Sequence, residues 1–70
     1  MRNKETQKMI DKLEEFKAML ELKIEKIDEW AEKRATGERT EQEEEKAEAL
    51  ENTIDLIDEL IENLEDNYYL

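Results

Sequence analysis

Apolar residues recur at helical spacing in two stretches of the chain. In the first, Met9, Leu13, Phe16, Leu20, Ile24, Ile27 and Ala31 follow one another at steps of three and four, the period of a straight α-helix. In the second, Ala47, Leu50, Ile54, Ile57, Ile61, Leu64 and Tyr68 do the same. Thr53, Leu56 and Leu60 widen the second stripe to roughly 160° at ~100° per residue.

Between the stripes stands Gly37, the only glycine, and the chain has no proline. The pattern predicts helix 1 over about 4–35, a turn over about 36–40 and helix 2 over about 41–67. Asn3 is a good N-cap with Glu5 in the first turn, and Lys33 and Arg34 suit the negative end of the helix dipole. Gly37 suits the left-handed position just past a helix end. Thr40-Glu41-Gln42-Glu43 reads as a capping box for helix 2. The first turns of helix 2, Glu41 to Glu48, are almost wholly polar and are expected to fray. The predicted fold class is all-α: one domain, an antiparallel helical hairpin. Residues whose numbers total about 77 should meet, which brings Leu13 near Leu64, Phe16 near Ile61, Leu20 near Ile57 and Ile27 near Leu50. Tyr68 should cover Met9 and Ile10.

One antiparallel neighbour covers a narrow seam, and both stripes are wider than that. A homodimeric four-helix bundle is therefore expected, with Leu13, Phe16, Leu20, Ile24, Ile27, Leu50, Ile54, Ile57, Leu60, Ile61 and Leu64 as the dimer core. A second copy also suits a 70-residue chain, because a core that small supplies only ~3–5 kcal/mol on its own. Lys17 and Lys23 interrupt the stripe of helix 1, and their stems should run along apolar surface to reach water or a carboxylate of helix 2.

Charge changes the picture most. Residues 1–37 hold nine acids and nine bases, whereas residues 38–70 hold thirteen acids and two bases, so the whole net charge of −11 lies in the second half. Lys46 is the last base. After it come Glu48, Glu51, Asp55, Asp58, Glu59, Glu62, Glu65 and Asp66, all within roughly 120° of helix 2 and opposite its apolar stripe. They form a ridge about 27 Å long at 1.5 Å per residue. Eight like-charged neighbours at spacings of three and four cost roughly 2–4 kcal/mol together before salt screening.

Two readings of the ridge follow. In one it is a solvated face, partly neutralised by the basic flank of helix 1 (Lys8, Lys12, Lys23, Lys26, Lys33, Arg34). In the other it is a site for a basic partner. Duplex DNA carries a phosphate about every 3.4 Å along each strand, so an acidic ridge of this pitch could also occupy a groove built for a nucleic-acid backbone. The expected function is a non-catalytic protein–protein interaction module acting through the ridge. The alternative is a nucleic-acid mimic, of the kind made by phage or mobile elements, that inhibits a DNA- or RNA-binding protein. Direct binding to nucleic acid is disfavoured by like charge.

Trp30 and Leu22, with Met19, Lys23 and Lys26, form a second candidate partner surface off the main stripe of helix 1. The plainer alternative puts Met19 and Trp30 at the edge of the dimer core. The tail Asn67-Tyr68-Tyr69-Leu70 either ends in a recognition signal or caps the open end of the bundle.

No Cys and no His are present, which removes disulfides and the common zinc ligand sets. Pairs such as Glu25 with Asp28 and Glu62 with Glu65 point to solvent, so no metal, cofactor or catalytic residue is expected. The first seven residues hold no apolar run, so no signal peptide is expected, no stretch is apolar enough for a membrane span, and the acidic surface is repelled by anionic lipid. A cytoplasmic location is the expectation.

Overall fold

The computed structural model describes residues 4–68, the side chains of Asn67 and Tyr68 apart. It is a hairpin of two helices, α1 (Lys4–Glu32) and α2 (Glu41–Tyr68), with no strand among the described residues. The Asn3 cap, the cover of Met9 and Ile10 by Tyr68, and the Tyr-Tyr-Leu tail lie outside the described residues. The rod measures 53 × 15 × 12 Å.

The α1 helix ends about a turn earlier than the spacing predicts. Lys33 N–H still donates to the Glu29 carbonyl at 3.3 Å, but Arg34 N–H donates to Ala31 at 3.1 Å, a tightened final turn. Gly37 N–H then donates to Arg34 at 3.1 Å with φ at +68°. A Cβ there would meet nothing within 4 Å, so glycine is required by the backbone angle and not by space. The capping box forms as its residues predict. Thr40 Oγ1 accepts from Glu43 N–H at 3.1 Å, and a Glu43 carboxylate oxygen accepts from Thr40 N–H at 2.9 Å. The polar opening of α2 is thereby held in helix.

Packing keeps part of the expected register: Leu13 and Leu64 line one groove and Leu20 and Ile57 share the buried cluster, while Phe16, expected beside Ile61, is exposed. Ile10, Leu20, Ile57 and Ile61 form the buried cluster, with Leu13, Leu50, Ile54 and Leu64 packed partly buried against it. Ala31 and Ala47, near the turn, are both buried. Thr53 interrupts the stripe at no cost in unsatisfied groups, because its hydroxyl donates to the Ala49 carbonyl at 2.9 Å.

The seam, however, runs along one edge of the wide α1 stripe and not its middle. Ile10 is 1% exposed, while Met9 is 51% and Phe16 47% exposed. Thr6, one helical turn before Ile10, is buried too. Of the proposed dimer core, Phe16 and Leu60 are exposed in the single chain, whereas Leu20, Ile57 and Ile61 belong to the seam.

Candidate functional site

The turn consumes both arginines of the described residues. Arg34 makes a forked pair with Glu43, Nη1 to Oε1 and Nη2 to Oε2, the latter at 2.8 Å. Arg39 Nε donates to Asp28 at 2.7 Å and Nη1 to Glu44 at 3.4 Å, tying the end of α1 to the start of α2. The Arg34 guanidinium, with the Thr40 backbone N–H, pulls Glu43 down to about 2 from its ordinary 4.5. Arg39 likewise holds Asp28 below the usual carboxylate range. With the arginines spent here, the positive charge elsewhere is carried by lysines.

Lys12, Lys23, Lys26 and Lys46 lie on one side of the rod. A groove is lined by Lys23, Lys26, Ile27, Trp30, Glu43 and Lys46. Farther along the same side, a second groove of about 380 Å³ is lined by Met9, Lys12, Leu13, Leu60 and Leu64. Helical spacing carries Phe16 and Met19 of α1, and Leu56 of α2, onto or beside this side. Among the described residues, six of the seven exposed large apolar side chains (Met9, Phe16, Met19, Trp30, Leu56, Leu60) therefore share one apolar face edged with lysine. Lys33 Nζ sits 5.7 Å from the centre of the Trp30 ring, within cation–π range.

The opposite side is acidic across both helices. A shallow groove there is lined by Glu14, Lys17, Ala18, Glu21, Asp58 and Ile61, and its neighbour by Ala18, Glu21, Leu22 and Glu25. The acidic flank of α1 thus lies beside the ridge of α2, where the solvated-face reading needs the basic flank. Lys17 is the base that crosses the seam: its Nζ lies 2.7 Å from Asp58 Oδ1, and this hydrogen bond raises the ammonium above its ordinary pKa. Its stem behaves as the sequence predicts.

The ridge residues are placed as follows. Glu48, Glu51, Asp55, Asp58, Glu59, Glu62 and Asp66 are exposed, and Glu65 is half-buried. Asp58 is paired with Lys17 and Glu65 also has an interaction partner. Glu48, Glu51, Asp55, Asp58, Glu62 and Glu65 lean toward the acidic flank of α1, while Glu59 and Asp66 point away from the seam along the outer edge of α2. Among the described residues no acidic group is arranged to hold a metal ion, and no helix is long and apolar enough to cross a membrane.

Trp30, 64% exposed, and Leu22, 57% exposed, do not share a surface. Trp30 belongs to the apolar face, and Leu22 stands among glutamates on the acidic side. The residues that sequence reasoning missed are Glu14 and Glu21 as neighbours of the ridge, and Arg39 with Asp28 as a clasp. The signal for the first was the acidic flank of α1, which lacked only the hand of the hairpin to be assigned.

The fold and these two faces define a two-helix hairpin with surfaces of opposite character. No protein-family model, curated protein or solved structure matches the chain.

Proposed function

We propose that the chain is a non-catalytic interaction protein that works as a pair, a four-helix bundle with its acidic sides turned outward to a basic protein partner. The observation that carries this reading is the acidic face: among the described residues Glu48, Glu51, Asp55, Glu59, Glu62 and Asp66 make no ion pair, and Glu14 and Glu21 lie beside Asp58 across the seam. A fold of this size has little stability to spare, yet it keeps like charges together over two helices, where alternating signs would stabilise it. Such a field raises the encounter rate with a cationic surface and fixes its orientation.

The pitch of the ridge favours one kind of basic partner as a second reading: a protein whose groove takes a nucleic-acid backbone, which this chain would occupy as a mimic.

The test is a titration calorimetry series with a lysine-rich peptide at low and high salt. The triple variant Glu51→Lys, Asp55→Lys and Glu62→Lys is compared with a control of equal net charge, Glu5→Lys, Glu15→Lys and Glu41→Lys. The face variant is expected to lose at least tenfold in affinity and the control much less, with both effects shrinking as salt rises. Equal losses in the two variants would mean that net charge alone attracts the peptide, and the acidic face would not be a site. For the mimic, duplex DNA should displace the chain from a DNA-binding protein that it has been shown to bind.

A further inference from the structure

The groove at the turn end of the apolar face collects bases without acids to match them. Lys23, Lys26 and Lys46 line it and are exposed, and among the described residues none of the three makes an ion pair. Its single carboxylate, Glu43, already accepts from Arg34 Nη2 at 2.8 Å and from the Thr40 N–H at 2.9 Å. Glu29 and Glu45 adjoin these lysines in sequence but do not line the groove. Three ammonium groups therefore share a concavity of about 320 Å³ whose apolar lining is Ile27 and Trp30, a volume at the lower end of small-molecule sites.

The matching ligand packs several negative charges into a small volume. Lysine acts on phosphate as a movable point charge, and an oligophosphate of two or three linked phosphoryl groups offers an oxygen to each ammonium. A lone carboxylate brings one charge to three cations. The net charge of −11 does not forbid such a ligand, because the acidic side faces the other way. The rod is 15 × 12 Å in section, wider than the ~8 Å over which physiological salt screens exposed charges.

Pairing makes these lysines costlier, and this part of the inference rests on the reading that a second copy covers the apolar face. Whichever way two such faces stack, one interface receives Lys12, Lys23, Lys26 and Lys46 from both copies. Like charges gathered there oppose association, and a multivalent anion held among them removes that opposition.

We propose that the groove of Lys23, Lys26, Lys46, Ile27 and Trp30 binds a small oligophosphate anion and that its occupancy strengthens the pair.

Trp30 is the only tryptophan, so its emission reads the groove directly. Tripolyphosphate, titrated into the full chain at constant ionic strength, is expected to give a saturable change. The triple variant Lys23→Gln, Lys26→Gln and Lys46→Gln, which exchanges exposed lysines for another good helix former, should bind at least tenfold more weakly. Lys17→Gln, on the acidic side, should bind as the parent does. No saturable change in the parent, or equal saturation in the triple variant, would overturn the site. Sedimentation equilibrium then reads the pair. Saturating tripolyphosphate should tighten the dimer about tenfold, and the triple variant should pair more tightly than the parent without the anion and ignore it when added. A dimer that tightens with magnesium chloride of the same ionic strength, and not with tripolyphosphate, would mean that the acidic sides govern its charge, and would overturn the coupling. A monomer at every concentration would overturn the pairing and the coupling together, with the groove still judged by the emission of Trp30.

Discussion

The two broad sides of this hairpin are built from the same two helices and behave in opposite ways. One exposes six large apolar residues among lysines, the other exposes glutamates and aspartates with Lys17 reaching in from the seam. On the first side the exposed groups are costly in water, and covering them returns about 1.5–3 kcal/mol for each large apolar side chain. On the second they are costly to one another, and only a foreign cation or salt relieves them. The molecule thus separates two reasons for association, and each can be removed without touching the other.

The largest expected effect comes from breaking the apolar side. Phe16→Glu with Leu60→Glu should convert a dimer to monomers in sedimentation and lose roughly 3–6 kcal/mol of assembly free energy. Leu22→Glu, an equally exposed leucine on the acidic side, should leave mass and melting unchanged. If Leu22→Glu disrupted the assembly as strongly, the division into two sides would fail.

Second in size is repair of the acidic side. Asp55→Lys and Glu62→Lys together convert seven like-charged spacings of three or four into favourable ones. The melting curve should show a gain on the order of 1–3 kcal/mol at low ionic strength, discounted for coupling between the two sites. The gain should fade at high salt, and a gain that persisted in molar salt would point to packing.

A smaller effect belongs to the turn and is read by pH. Glu43 titrates at about 2 in the folded chain against an ordinary 4.5. A depressed carboxylate lends stability that is fully present above the ordinary value and is lost as pH falls through the folded one. The parent should therefore exceed Glu43→Gln in melting temperature at pH 7, and the difference should close between pH 4.5 and 2. Smallest of all, Lys17→Ala removes a half-exposed ion pair with Asp58 and should lower the melting temperature only slightly. A drop rivalling that of the Phe16 and Leu60 variant would mean that Lys17 holds the acidic side together.

Much of the fold is legible in the residues. The stripes locate the helices, Gly37 and the Thr40 box locate the turn, and the expected total of about 77 matches the Arg34–Glu43 pair. What the residues leave open is how a wide stripe divides between seam and free face. Either edge could serve: Ile10, Lys17 and Ile24 lie along one, Met9, Phe16 and Ile27 along the other. Choosing the first edge fixes the hand of the hairpin, and that hand brings Glu14 and Glu21, with Lys17 between them, beside the ridge. The choice is tertiary, a matter of how two stripes and a turn close together, so periodicity within either helix carries no trace of it. The early end of α1 has a similar cause: Arg34 leaves the helix to meet Glu43 nine residues on, a partner invisible to local propensity.

The division of labour between the two kinds of base has a chemical consequence. The described arginines close the loop, while lysines edge the apolar side. Amine-directed acylation would therefore erase cationic character from that side, and from Lys17, while the guanidinium fasteners stayed intact. A hairpin treated in this way would keep its shape and become almost uniformly anionic, its surface switched by covalent chemistry that its closure does not feel.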